Sequence, residues 1–147
     1  MLWILGSLGL LIIAGLAFYA GRLLMQLKQQ NDQQAAAAKA RNATLIESIT
    51  TIAKAMQQAQ CESSEGCLRI WVLLDHLIES PKPNYQATYP GIFQMYDVVK
   101  DMPTHTARKK YPKKEIRQMD ETRLQAEKDL ALQINQDLDK LLIQLEG

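Results

Sequence analysis

A small group of polar side chains in two segments of the chain combines histidine with carboxylates. The candidate polar cluster consists of Glu65, Arg69, Asp75, Thr104 and His105, with His76 next to Asp75 in the sequence. A histidine beside carboxylates can act as a general base or bind a metal ion. Neighbouring residues on a helix point about 100° apart, however, so Asp75 and His76 cannot chelate one ion together. We expect these residues instead to stabilise helix contacts, with Thr104 as an N-cap and Arg69 paired with a carboxylate across helices.

No motif of a known catalytic class supports an enzyme. The sequence has no Gly-rich phosphate loop, no nucleophile elbow and no HExxH. The spacing of Cys61 and Cys67 matches none of the usual zinc patterns, and His76 and His105 do not complete a second ligand pair. We therefore predict no catalytic residue, no metal site and no cofactor. A metal-dependent enzyme that uses His76 and His105 is the less favoured alternative.

A second feature is the basic patch in RKKYPKKEIR, residues 108–117. Its cations are Arg108, Lys109, Lys110, Lys113, Lys114 and Arg117. Such a cluster can bind anionic lipid headgroups, nucleic acid or an acidic partner. Nucleic acid is the weaker choice, because Tyr111 is the single aromatic residue here and the whole chain carries a net charge of only +1. The alternative is a solvated start of a helix, balanced by Asp120 and Glu121.

The first residues of the chain, MLWILGSLGLLIIAGLAFYAG, carry no charged side chain. A bilayer core of about 30 Å needs roughly 20 helical residues, so this stretch is long enough to span it once. A secretory signal would have a basic start and small residues at both positions −3 and −1 of its cleavage point. No basic residue precedes Arg22, and a cut after Ala20 or Gly21 would place Phe18 or Tyr19 at position −3. We predict a retained transmembrane anchor, residues 1–22, in the inner (plasma) membrane of the cell.

The charges that follow the anchor predict its orientation. The basic residues are Arg22, Lys28, Lys39 and Arg41, against the single acid Asp32. The positive-inside rule then places the N-terminus outside and the rest of the chain in the cytoplasm. Residues 23–44 are rich in Ala and Gln without an apolar stripe, which is typical of a solvated helical stalk.

Residues 45–147 are predicted to form a cytoplasmic bundle of about four helices. The predicted helices cover about 42–60, 65–79 (capped by Ser63 or Ser64), 90–102, 104–110 and 113–145, with a proline-rich loop at 80–90. The apolar stripes contain Leu45, Ile49, Ile52, Met56 and Ala59, then Cys67, Ile70, Trp71, Leu74 and Leu77 or Ile78, then Ile92, Phe93, Tyr96 and Val99, and finally Leu130, Ile134, Leu138, Leu141 and Leu145. The first stripe fits a short coiled coil or packing against later helices. We expect the long last helix to lie antiparallel to the 42–60 helix.

Several of these segments resemble a known bacterial family. The resemblance is carried by ARNATLIESITTIAKAM, SSEGCLRIWVLLDHL and YPGIFQMYDVVKDMPTHTARK, which follow an apolar N-terminal helix. They are similar to the family catalogued as domain of unknown function 2489 (DUF2489), over about residues 40–125 and the anchor. The resemblance implies a membrane-anchored protein with a small helical domain, and no activity or site residue.

Together these features predict an all-α protein that acts as a membrane-anchored adaptor or scaffold and binds another protein or itself. The alternatives are a membrane-tethered module that binds anionic lipid or nucleic acid through residues 108–117, and the metal-dependent enzyme.

Overall fold

The computed structural model describes all 147 residues, and its regular secondary structure consists of helices without strands. The helices are α1 (Leu2–Gln57), α2 (Ser63–Asp75), α3 (Tyr85–Thr88), α4 (Pro90–Val99), α5 (His105–Arg108) and α6 (Lys113–Glu146). The chain divides into two compact units, Met1–Ala40 and Arg41–Gly147, and α1 contributes residues to both. The all-helical fold class and the long apolar N-terminal helix agree with the sequence prediction.

The first unit consists of helix α1 alone, and its apolar side chains are exposed. Trp3 is 92% exposed, Leu11 70% and Phe18 76%. This is the one helix of the protein that is long and apolar enough to cross a membrane, by length and composition. A signal sequence near the N-terminus would pass the same test.

The second unit has one hydrophobic core, to which α1, α2, α4 and α6 all contribute. Its fully buried side chains include Ile49, Cys67, Ile70, Leu74, Ile92, Met95, Ile134, Leu138 and Leu141. Most of them lie on the apolar stripes predicted from helical spacing. Of the two residues that the sequence left open, Leu77 is buried and Ile78 is exposed. Trp71 is less buried than predicted, because it is half-buried and packs against Phe93 and Tyr96 with ring centroids 4.8 and 5.6 Å away.

Helix α6 packs mainly against α4. The prediction that the last helix packs mainly against residues 42–60 is therefore wrong. Residues of α1 reach α6 through long side chains instead. The Gln57 amide donates to Asp139 at 2.6 Å, and Lys54 pairs with Glu146 at 2.6 Å. The small residue Gly91 explains the close approach of α4, because a Cβ there would lie 2.9 Å from backbone atoms of α6.

The turn between α1 and α2 differs from the predicted boundaries. Helix α1 ends at Gln57, and Ala59 adopts a left-handed backbone with φ 54°, so Ala59 does not continue the apolar stripe. Glu62, and not Ser63 or Ser64, occupies the N-cap position of α2, and it makes no side-chain capping bond. Helix α2 ends at Asp75, four residues earlier than its predicted end at residue 79.

The proline-rich segment 80–90 contains the short helix α3, which was not predicted. The Asn84 side chain caps it by accepting a hydrogen bond from the Ala87 amide at 3.2 Å. Helix α4 then begins at Pro90, as predicted, because proline has no amide hydrogen to lose at the first helical position. Helix α5 follows Thr104, but the Thr104 side chain makes no capping bond, so that predicted contact is wrong.

Candidate functional site

The residues of the candidate polar cluster are distributed over separate local contacts. Glu65 and Arg69 form an exposed ion pair at 2.5 Å on the same helix, α2. The acid precedes the base by four residues, which is the favourable order on a helix. The predicted pairing of Arg69 with a carboxylate across helices is therefore wrong.

Asp75 and His76, at the end of α2, have different partners. Lys82 pairs with the Asp75 carboxylate at 2.8 Å and donates to the Asp75 carbonyl at 2.6 Å. The hydrogen bond from Lys82, with its positive charge, lowers the pKa of Asp75. The His76 ring is held by its Nδ1 atom, 2.6 Å from the carbonyl oxygen of Val72. Each group thus contributes to ending α2 and fixing the loop after it.

Thr104 and His105 are exposed at the start of α5. The carbonyl of Thr104 accepts hydrogen bonds from the amides of Ala107 and Arg108, which are ordinary contacts of a short helix. Neither the Thr104 nor the His105 side chain touches the residues of α2 through a hydrogen bond or an ion pair. No three His, Cys, Asp or Glu side chains of the protein converge in a way that could hold a metal ion.

The two cysteines are free thiols with raised pKa values. Cys67 is buried in the core, and this burial raises its pKa to about 12. Cys61 is half-buried, and its burial together with the charge of Glu65 raises its pKa. A thiol that stays protonated is a poor nucleophile and metal ligand, so Cys67 contributes packing.

The fold divides the basic patch into two sets of residues. Arg108, Lys109, Lys113 and Arg117 line an open groove of about 500 Å³, together with Tyr111 and Ile116. Lys110 and Lys114 are exposed and lie outside this groove, although they directly follow Lys109 and Lys113 in the sequence. We refer to the groove lined by these six residues as the basic groove.

Arg108 is the one cation of the basic groove with an acidic partner. Its guanidinium pairs with the Asp120 carboxylate of α6 at 2.7 Å, and this hydrogen bond lowers the pKa of Asp120. Lys109, Lys113 and Arg117 make no ion pair. The predicted balance by nearby acids therefore applies to Arg108 and Asp120, while Glu121 pairs with none of the cations.

A second groove, which the sequence did not indicate, lies between α1 and α2. It has a volume of about 400 Å³ and is lined by Ile52, Leu68, Arg69, Val72 and Leu73. We call it the apolar groove. Val72 is 42% exposed there. The signal that could have revealed it is Val72 itself, an apolar residue on the face of α2 opposite the buried stripe.

Two carboxylates of α6 hold the N-termini of other helices in place. Neither was predicted from the sequence. Asp137 is buried, and its Oδ2 atom accepts hydrogen bonds from the amides of Gly91 at 2.6 Å and Ile92 at 3.1 Å. These amides belong to the first turn of α4, which has no cap of its own. An acid on the otherwise apolar stripe of Ile134, Leu138 and Leu141 was the available signal.

Glu127 has the same function one helix away. Its carboxylate accepts a hydrogen bond from the Ser64 amide in the first turn of α2 at 3.2 Å. Arg123, four residues earlier on α6, pairs with Glu127 at 3.1 Å and with Glu62 at 3.2 Å. Helix α6 thus supplies an acceptor to the uncapped N-termini of both α2 and α4.

The arrangement defines an all-helical protein with one candidate membrane-spanning helix and a compact unit that carries an apolar groove and a basic groove. The chain belongs to the family of proteins of unknown function DUF2489, whose sequence profile matches residues 13–141. An uncharacterised protein of Haemophilus influenzae is 41% identical over 142 residues, which covers 97% of this chain and 94% of that protein. No solved structure matches the chain.

The family match confirms the resemblance seen in the sequence and extends it. The sequence segments supported it to about residue 125, whereas the match continues to residue 141. Both capping carboxylates, Glu127 and Asp137, therefore lie within the matched region.

Proposed function

We propose that this protein is a single-pass membrane protein whose helical unit lies in the cytoplasm and acts as an adaptor, binding an amphipathic helix of another protein in the apolar groove. The observation that supports this function best is the groove itself. Ile52 on α1 and Leu68 and Leu73 on α2 are half-buried against the core, and Val72 stands exposed between them. Its lining is apolar apart from Arg69, which makes it complementary to the apolar face of a helix.

The geometry of the apolar groove fits a helix better than an extended strand. Leu68 and Val72 are four residues apart, so they lie above one another on α2 and form a ridge facing Ile52 on α1. A helical ligand recognises such a surface through apolar residues spaced by three and four positions. Arg69 lies at the rim, where its pairing with Glu65 supplies a polar border.

The membrane location rests on the exposed apolar part of α1. A helix with no buried residue in its apolar window has no protein surface to cover it, which favours lipid as its surroundings. The basic residues that follow this segment favour the orientation with the N-terminus outside and the C-terminus in the cytoplasm. A reporter fused after Gly147 tests the orientation. We expect a cytoplasmic reporter on a full-length, membrane-associated chain, and a soluble, processed chain would contradict the anchor.

The proposal assigns no chemical step to the protein. His76 and His105 are the residues that a metal-dependent reaction would use, and they lie in separate environments at the end of α2 and the start of α5. Elemental analysis of the purified full-length chain checks this part. Stoichiometric metal that disappears in a His76→Ala or His105→Ala variant would contradict it.

Site-specific photocrosslinking in cells tests the apolar groove. A photoreactive amino acid replaces Arg69 at the rim, and we expect one prominent crosslinked protein. The variant Val72→Asp should reduce the crosslink at least tenfold, because a carboxylate in the groove must be desolvated when an apolar helix binds.

The matched control is Leu132→Asp, which places the same charge on an exposed apolar residue of α6 outside the groove. Both positions are exposed, so neither change should unfold the helical unit. Equal loss of the crosslink in the two variants, or no loss in Val72→Asp, would contradict binding in the apolar groove.

A further inference from the structure

The basic groove differs from a plain charged surface, because its cations surround apolar atoms. Tyr111 and Ile116 line it together with Arg108, Lys109, Lys113 and Arg117. Tyr111 is 44% exposed and Ile116 is half-buried. In the sequence these residues alternate with Lys110 and Lys114, and only the fold shows which of the cations face the same space.

No acidic side chain lines the basic groove, so its positive charge is not neutralised by the lining. None of the nearby acids, Glu115, Asp120 and Glu121, lines it. The Asp120 carboxylate, on α6, pairs with the Arg108 guanidinium at 2.7 Å and fixes this one cation of the groove lining. The remaining cations are free to contact a ligand that carries negative charge.

The lining selects among anionic ligands. Inorganic phosphate has no apolar part to place against Tyr111 and Ile116. A nucleic-acid strand is recognised through a long cationic track with several aromatic rings on which successive bases stack, and here one ring lies in one short groove. An anionic phospholipid has both the required parts, a phosphate headgroup and an apolar glycerol and acyl region.

We propose that the basic groove binds an anionic phospholipid, with Lys109, Lys113 and Arg117 around the phosphate and with Tyr111 and Ile116 against the acyl region. This site is separate from the apolar groove, so it stands or fails independently of partner binding. Lys110 and Lys114 contribute only to the general field of the segment.

The experiment compares two double variants with the same change of charge. Full-length protein in a neutral detergent is titrated with phosphatidylglycerol at physiological salt, and bound lipid is measured by native mass spectrometry. Lys109→Gln with Lys113→Gln removes two groove cations, and Lys110→Gln with Lys114→Gln removes two cations outside the groove. We expect about a twenty-fivefold weaker affinity for the first, from about fivefold for each cation, and less than threefold for the second because salt screens distant charges.

Further measurements test the two parts of the ligand, the anionic headgroup and the apolar region. Phosphatidylcholine should bind equally weakly to the wild type and both double variants. Tyr111→Ser should weaken the binding of phosphatidylglycerol and Tyr111→Phe should not, because the contact uses the ring. Trp71 emission, from a side chain packed on α4, reports that each variant is folded.

Three results would overturn the proposal. Equal losses in the two double variants would mean that only the field of the segment attracts lipid. Full displacement of phosphatidylglycerol by millimolar inorganic phosphate would identify a phosphate site without an apolar component. Tighter, groove-dependent binding of a single-stranded oligonucleotide than of phosphatidylglycerol would assign the site to nucleic acid.

Discussion

The two halves of helix α6 differ in what their side chains contact. In the second half, Ile134, Asp137, Leu138 and Leu141 are buried against the other helices. In the first half, residues 113–122, the side chains are mainly exposed and include three cations and three acids. One continuous helix therefore completes the core at one end and presents an open charged surface at the other.

The difference shows which charges of α6 the fold uses. The Asp137 and Glu127 carboxylates accept hydrogen bonds from amides at the starts of α4 and α2. Backbone amides at a helix start have no partner within the helix, so these carboxylates stabilise it by hydrogen bonding and by charge. Lys113, Lys114 and Arg117, the cations of the first half, make no such contact. The ion pair in this half joins Asp120 to Arg108 of α5. Substitutions in the second half should therefore change stability, and substitutions in the first half should change binding.

The largest effect is expected for Asp137→Ala. It leaves the buried amides of Gly91 and Ile92 without an acceptor, so we expect unfolding to become easier by about 3 kcal/mol. Asp137→Asn keeps an acceptor oxygen and should cost less, about 1 kcal/mol. Chemical denaturation followed by Trp71 emission, in a Trp3→Phe background, measures the helical unit. The control Asp129→Ala removes an exposed acid of the same helix, and an equal loss there would contradict the assigned cap.

A comparison of two glycines tests how closely α4 must approach α6. A Cβ at Gly91 would lie 2.6 Å from Cγ of Gln133 and 2.9 Å from the backbone of α6, so we expect Gly91→Ala to destabilise by about 2 kcal/mol. A Cβ at Gly66 would instead meet the flexible side chain of Met56. Since that side chain can move, Gly66→Ala should change stability by less than about 1 kcal/mol. Equal effects in the same denaturation assay would show that the backbone contact is not the cause.

Helical periodicity was sufficient to predict most of the core, because apolar residues at spacings of three and four can only share a face. It correctly predicted that five core residues are buried: Ile49, Cys67, Leu74, Ile134 and Leu138. It could not give the partner of each helix, since a stripe indicates that a helix packs and not against what. The packing of α6 against α4 depends on Gly91, which has no Cβ and therefore allows the two backbones to approach closely. Gly91 and its partner Asp137 are 46 positions apart, so no local sequence pattern encodes this contact.

The site was less predictable than the core. The basic patch was visible as a run of charges, but the separation of Lys109 and Lys113 from Lys110 and Lys114 depends on how the turn before α6 folds. The candidate polar cluster did not form, because Arg69 and Asp75 find partners within a few residues, in Glu65 and Lys82. Local ion pairs of this kind need no tertiary arrangement, so they compete well against distant ones.

A smaller loss of stability is expected for Glu127→Ala, about 1 kcal/mol. Glu127 is only partly buried and accepts one amide hydrogen bond, from Ser64 at 3.2 Å, so less is lost than at Asp137. The same denaturation assay gives the value. Glu121→Ala, an exposed acid of the first half of α6, is the matched control and should be neutral. A Glu127 effect as large as that of Asp137 would remove the distinction between the two caps.

The smallest effect on stability is expected for Arg108→Gln, at the border between the basic groove and the fold. Its hydrogen bond and charge hold the pKa of Asp120 below the ordinary value of 3.8. A carboxyl with a lowered pKa in the folded state stabilises above its unfolded pKa, and this contribution is lost as the pH falls through the folded value. In Arg108→Gln the Asp120 pKa should rise toward 3.8, so the loss of stability between pH 4 and pH 2 should become shallower. A carbon-detected NMR titration of Asp120 measures the shift, with Lys110→Gln as the control that should leave it unchanged. If Asp120 titrates alike in all three proteins, Arg108 is as free as its neighbours and the first half of α6 contributes nothing to the fold through its charges.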